Sequence, residues 1–547
     1  MLTDSRSETP TLAAWGKHAR SICVSLFFIT LMLGGLGIYR DYGISWDEPT
    51  QHYSGIVTLK NVLVRLDKVT IFDDKQLPTI AMKLDEYTDR DYGVAFETPA
   101  VFLGKLLRLE DTRDIYMLRH LLTFLVSCGG VFAIFLLAER RFSDWRLGLL
   151  AALCLVLSPR LFAESFYNDK DAVFMALFAI AMNTTVGFIL KPGFGAALVA
   201  ALATAIAIDV RIMAIILPLV ALTVMVIRVS KREISPSTAT SATAVYIGSA
   251  IVFVVAFWPW LWSDPWGRFS QAFANMARFR WDGHVLYMGA SMPGTELPWH
   301  YIPVWIVIST PLIYSVFLLI GAFGSVRRVI GRRLQLWKGE AELQDVVFLA
   351  IFTGPILAVI AFNSVLYNGW RQMYFVYPAF LLVAMAGLVT SWRALDHRFP
   401  AFARPLLVVL SFLSLADTAA WMVRAHPYQN VYFNLLAGKD WKINFDLDYW
   451  GLCNRRALEY ILEHDSRPAI RVWRGSRTPL EISLHMVEKA DRPRLQMVRN
   501  EAEADYIITN YHGNSTDYAA SGKGHSLFYQ ISIGDEVILS IYKSNSK

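Results

Sequence analysis

Apolar and polar positions along this chain alternate in long blocks, not in the short periods of a soluble fold. Sustained apolar runs of roughly 17–25 residues, the length that carries a helix across a bilayer core, number about eleven. They lie near 21–39, 116–138, 147–159, 172–190, 194–208, 211–228, 244–262, 301–323, 345–362, 373–391 and 405–422, the third and fifth being short. Residues 40–115 form a long loop after the first run, where 57–72 and 99–109 predict amphipathic helices lying at the interface. Beyond 422 the blocks end. There, 469–475, 504–511 and 530–542 predict strands, the last with a Gly-Asp hairpin turn, and 455–464 predicts a helix. The pattern describes a polytopic α-helical membrane protein, with a membrane domain over 21–422 and a small soluble α/β domain over 423–547.

Composition sharpens this reading. The chain has 547 residues, is 54% hydrophobic and only 18% charged, where a soluble protein carries about a quarter charged residues. Its net charge of +6 is gathered between particular apolar runs, which points to membrane topology and not to nucleic acid. The basic loops "ERRFSDWR" (139–146), "RVSKRE" (228–233), "RRVIGRR" (327–333) and "SWRALDHRF" (391–399) alternate with another set. That set holds "DYGISWDE" (41–48), "ESFYNDKD" (164–171), "WSDPWGRF" (262–269) and "LYNGWRQ" (366–372), mixed in sign and rich in aromatics. With the basic set inside, the N-terminal segment 1–20 is cytoplasmic, and an odd number of spans puts the C-terminal domain outside. The first run follows Lys17 and Arg20 and reads as an uncleaved helix. Of the four cysteines only Cys453 lies in the polar C-terminal part, and no metal-type Cys/His spacing appears.

Ionisable residues at membrane depth are costly, so the outer loops hold the candidate chemistry. Asp47 and Glu48 end "GISWDE". A cap is the plainer account: Ser45 and Glu48 have capping-box spacing, but that box puts Pro49 at a position where its missing N–H breaks the first helical bond. Asp47 as N-cap with Pro49 in the first turn is easier, and a cap also fixes where a carboxylate points. Adjacent carboxylates cannot readily flank one scissile bond, so a single general base toward a hydroxyl fits better than a glycosidase pair. A second cluster, "RLFAESFYNDKDAVF" (160–174), offers Lys170 for a phosphate and Asp171 for a hydroxyl, or a solvated loop whose aspartate caps the next helix. In the third, Arg371 stands among Tyr367, Trp370, Tyr374 and Tyr377; it suits planar recognition of a phosphate or snorkels to headgroups. Arg211 is a fourth candidate, paired locally with Asp209 or marking a turn between spans.

In order along the chain, "GISWDE", "SPRLFAESFYNDKDAVF" (158–174), "LPWHYIPVWIVISTP" (297–311), "LYNGWRQMYFVYP" (366–378), "HPYQNVYFNLLAG" (426–438) and "LDYWG" (447–451) resemble the motifs of bacterial GT-C glycosyltransferases. That group contains the protein O-mannosyltransferases and the aminoarabinose transferases of lipid A. The resemblance implies transfer of a sugar from a polyprenyl-phosphate donor to a hydroxyl acceptor (a glycan, lipid or protein) on the extracytoplasmic face of a bacterial inner membrane, with inversion. It carries Asp47 over as catalytic base with Glu48 as its partner, and Asp171 as the second-loop acidic position. Lys170 and Arg371 would serve the lipid phosphate. Tyr167, Tyr367, Glu97 and Arg211 are further candidates for binding the substrate. "YGVAFETPAVF" (92–102) departs from relatives with Glu-Lys-Pro: Thr98 stands between Glu97 and Pro99, which shifts the phosphate to another cation. No cofactor is demanded; the outward carboxylates are compatible with a divalent metal, but no ligand spacing requires one.

A transporter or lipid flippase shares the signature of intramembrane charge, but here charge gathers at the outer ends and no repeat of the halves is evident. A lipid-linked oligosaccharide polymerase or ligase is a chemical neighbour. A scaffold using 423–547 as a binding module is a third alternative.

Overall fold

The computed structural model describes residues 10–68, 83–277, 279–333, 335–398, 402–521 and 524–545. Among them nine helices are long and apolar enough to cross a membrane. A tenth segment is a pair, Trp145–Val156 and Pro159–Tyr167, bent by 72°, and Phe194–Val210 is apolar but shorter. All eleven expected runs are therefore helical, while the number of full-length spans falls to nine or ten. The clearest shift is at 301–323. Pro311 stands at its break, and the run divides into Tyr301–Ile308 and the span Leu312–Gly331. The part of "ESFYNDKD" up to Tyr167 is also helix and not loop. The chain is an integral membrane protein.

Local signals set the helix ends. Asp111 accepts from the Arg113 N–H (3.0 Å) at the start of Thr112–Phe142. That helix stops at Ser143 in the left-handed region, and Asp144 then caps the next by accepting from the Arg146 N–H (2.9 Å). The basic loops meet at one end of the bundle. Arg141 and Arg328 share Asp345, Arg332 pairs with Glu342 at 2.7 Å, and Lys231 donates to the Trp337 carbonyl at 2.6 Å. Asp171–Leu190 and the span Arg371–Leu395 are the two most enclosed spans, whereas His18–Ile38 and Ala403–Arg424 lie at the periphery.

In the first outer loop the helices are Glu48–Arg65 and Glu97–Leu106, each starting earlier than its amphipathic pattern suggested. Residues 69–72 of the first pattern lie outside the described residues. A small antiparallel hairpin, β1 (His284–Tyr287) with β2 (Ala290–Pro293), was not foreseen.

The C-terminal part builds a sheet from β3 (Ile470–Arg474), β4 (Leu495–Met497), β5 (Tyr506–Thr509), β6 (His525–Ile533) and β7 (Glu536–Ser544). The order is β4-β3-β5-β7-β6; β3 is parallel to β4 and β5, and β7 is antiparallel to β5 and β6. The expected hairpin turns at Gly534 and Asp535, with Gly534 at φ +60°. The expected helix spans Cys453–His464.

This part is fastened to the membrane domain. Arg455 donates to the carbonyls of Arg40 (2.6 Å) and Tyr42 (2.8 Å), Arg113 pairs with Glu488, and Arg492 with Asp111. Gly43 explains itself here, because a Cβ on it would run into the Leu452 carbonyl. Only glycine lets the two backbones approach so closely, just before "SWDE".

Candidate active site

Glu48–Arg65 begins beside Asp47, which occupies the N-cap position, with Pro49 in the first turn. Its side chain makes no capping bond. Instead, Asp47 Oδ2 accepts from Arg371 Nη1 at 2.8 Å, and the same nitrogen donates to Asp171 Oδ2 at 2.8 Å. The other oxygen of Asp171 accepts from Arg211. Four chain segments thus converge in one chain of charge, Asp47–Arg371–Asp171–Arg211. Arg371 and Asp171 are almost wholly buried, Arg211 is 15% exposed and Asp47 31%. Asp47 is the most exposed of the four.

Arg371 is held between two rings, Tyr367 at 4.8 Å and Trp450 at 4.6 Å from its guanidinium carbon. Trp450 comes from "LDYWG", so the C-terminal part closes the site. Tyr449 and Tyr374 hydroxyls both donate to Glu164 Oε1 (3.3 and 2.8 Å), and Asn168 donates to Glu164 Oε2 (2.6 Å). Asn168 in turn accepts from the Asp171 N–H at 2.7 Å. This network fixes the start of the helix that carries Asp171.

Lys170 precedes that helix. Its ammonium lies 3.3 Å from the centre of the Tyr92 ring and pairs with no carboxylate among the described residues. Burial lowers its pKa to about 8, and Arg211 adds to the effect while Asp47 and Asp171 oppose it. Among the described residues the side-chain Nε atoms of Arg211 and Arg371 are buried without a hydrogen-bond partner. Three cations with unused donors therefore stand around two carboxylates.

Other expected site residues sit elsewhere. Glu48 is not beside the Asp47 carboxylate. It is fully buried, accepts from the Ser45 N–H at 2.7 Å and stands 3.1 Å from His120 Nε2. One arm of a capping box thus forms, while the Ser45 hydroxyl donates to the Tyr167 carbonyl at 3.2 Å. Glu97 and Asp169 share Arg119. Burial raises the pKa of both carboxyls against the pull of Arg119. Tyr167 packs against Tyr42 and Trp450, its hydroxyl without a hydrogen-bond partner among the described residues, one layer behind the site. Arg211 does not pair with Asp209. The chain turns extended at Arg211 (φ −146°), sending its side chain to Asp171, and Asp209 accepts from the Val94 N–H at 3.2 Å.

Arg119, His120 and Tyr92 were missed from the sequence. The signal for the first two was present: an arginine and a histidine side by side inside an apolar run are a rarity that asks for partners. Among the described residues no cluster of three or more His, Cys, Asp or Glu could hold a metal ion.

Comparison with known proteins reaches one of the ordered motifs, the stretch 158–174. Residues 116–262 match the family model for dolichyl-phosphate-mannose-protein mannosyltransferase. The match covers the Asp171 helix and Arg211. A search of curated proteins returned no match. Two crystal structures of ArnT from Cupriavidus metallidurans are similar to this chain. The apo structure is 13% identical over 95% of this chain and 98% of that one, with a TM-score of 0.49. The structure bound to undecaprenyl phosphate is 14% identical over 94% and 97%, with a TM-score of 0.48.

Proposed function

We propose that this chain is an integral-membrane glycosyltransferase that moves a sugar from a polyprenyl phosphate to a hydroxyl acceptor, with inversion, on the extracytoplasmic face. The observation that carries the reading is the bridge from part-exposed Asp47 through buried Arg371 to Asp171, in a cluster of charge with one cation to spare. Two carboxylates, Asp47 and Asp171, meet Arg371, Arg211 and Lys170. Among these five groups one positive charge is left over, which matches a single phosphodiester anion, and Asp89 is a further carboxylate whose field reaches Lys170.

In the reaction, Asp47 takes the proton of the acceptor hydroxyl as its oxygen bonds to the anomeric carbon. The bond from that carbon to the phosphate oxygen breaks in line on the far face, and the polyprenyl phosphate leaves as an anion. Its developing charge is met by Lys170 and the unpartnered Nε–H groups of Arg371 and Arg211, so no general acid is needed. Asp171 holds the two arginines apart and aimed. Lys170 does the work that Thr98 cannot. The family model supports the donor class through its printed activity, and the gathering of basic loops at the opposite end supports the extracytoplasmic face.

The test is mass spectrometry of envelope glycans and polyprenyl-phosphate sugars in cells with and without the gene. A transferase predicts loss of one sugar from an envelope molecule with accumulation of its lipid-linked donor. An unchanged set of both, with altered movement of a solute, would favour a transporter.

A further inference from the structure

The end of the bundle opposite the candidate site carries a polar cleft. Helices Leu312–Gly331 and Tyr377–Arg398 touch backbone to backbone where Gly321 faces the Val383 carbonyl and Gly387 the Phe317 carbonyl. Beside this crossing, with the end of Thr112–Phe142, they line a small cleft, open to the surface, whose polar lining is Arg141, Ser325, Arg328, Thr390 and Arg393.

Charge in this cleft does not balance. Buried Asp345 accepts from Arg141 Nε (2.6 Å) and Nη2 (2.7 Å) and from Arg328 Nη2 (2.8 Å). Arg393, on the facing helix, pairs with no carboxylate among the described residues. Three guanidiniums thus meet one carboxylate, leaving two positive charges over. The Ser325 hydroxyl accepts from Arg328 at 3.0 Å and keeps its own hydrogen to donate. Arg328 and Arg393 lie near the ends of the spans Leu312–Gly331 and Arg371–Leu395, the depth at which phospholipid phosphates sit. Basic pockets between helices at that depth fit anionic headgroups.

We propose that this cleft binds the phosphate of an anionic phospholipid from the adjacent leaflet. Arg393 and the unused N–H groups of Arg141 and Arg328 donate to the phosphate, and Ser325 completes the set. The site is independent of the sugar-transfer reading, since it shares no residue with it.

The test is native mass spectrometry of the full chain released from vesicles of phosphatidylglycerol in phosphatidylcholine, counting retained phosphatidylglycerol. Arg393→Gln removes a charged donor. Gly324→Leu fills the cleft without touching charge, because a Cβ there meets open space. Arg327→Gln, an exposed arginine on the same helix but outside the cleft, is the control. Arg393→Gln is expected to lower retention about tenfold, the equivalent of one charge-assisted hydrogen bond, Gly324→Leu to lower it by filling the space, and the control to leave it unchanged. Equal retention in all variants, or equal loss in the control, would overturn the proposal. Thermal stabilisation by millimolar inorganic phosphate in phosphatidylcholine alone, to the extent that phosphatidylglycerol gives, would assign the cleft to a soluble anion instead.

Discussion

Replacing Asp171 by asparagine should separate the structural role of the buried bridge from its chemistry. The Asp171 carboxylate is 1% exposed and lies between Arg371, 2% exposed, and Arg211, 15% exposed. Asparagine keeps the shape and one acceptor oxygen but removes the charge that both guanidiniums share. What remains for two buried cations is Asp47, which touches only Arg371. Breaking a buried pair from one side costs about 3–5 kcal/mol, because a charge is left uncompensated. The amide oxygen recovers part of this, so about 3 kcal/mol is expected. Asp47→Asn breaks a pair whose carboxylate is 31% exposed, and solvent screening holds its cost to about 1 kcal/mol or less. The assay is equilibrium unfolding in mixed micelles, followed by circular dichroism, of both variants and of Asp171→Asn/Arg211→Gln. The double variant sheds the surplus charge and should regain about 1–2 kcal/mol, the coupling of groups in one network. An Asp171→Asn protein within 1 kcal/mol of wild type, or a double variant that merely sums its parts, would refute the bridge as the element that holds the site.

Two further predictions concern the cations. Lys170 has its pKa lowered by burial to about 8, so donor binding should hold below that pH and fall as pH rises through it, when the amine loses its proton. Native stability should rise over the same window, since charging the buried amine is unfavourable to the fold. A pH series of donor binding checks this, and Lys170→Arg should remove the falling limb. Trp450→Ala removes one of the two rings that hold Arg371, a loss of about 1 kcal/mol and hence about fivefold in turnover per donor. Trp450→Phe should restore most of it in a side-by-side rate measurement.

What the sequence could disclose followed from locality. Apolar blocks are a local property, and all eleven proved helical; the hairpin at Gly534 was equally plain. The break at 301–323 was legible too, since Pro311 stood in the run, but hydropathy averages over a proline. The residues of the site could be nominated because Asp47, Asp171, Lys170 and Arg371 are charges in the wrong surroundings. Their partnerships could not. Arg211 was matched to Asp209 because the two are neighbours in sequence, yet side chains two apart on a helix do not face each other, and Asp209 serves the Val94 N–H. Arg119 finds Glu97 and Asp169 only after three segments pack. Trp450 reaches Arg371 from a part of the chain that reads as soluble. Such contacts depend on topology, which no window of residues contains.

Asp47 has two roles open to it in the first loop, helix cap and catalytic base. Asp47 stands at a helix N-cap without capping it and turns its carboxylate to Arg371 instead. The most direct measurement is mass spectrometry of envelope glycans and lipid-linked sugars in cells making Asp47→Asn at wild-type protein levels. The account predicts that the variant loses the same sugar as the deletion and accumulates the same donor. A variant that glycosylates like wild type while the deletion does not would contradict it.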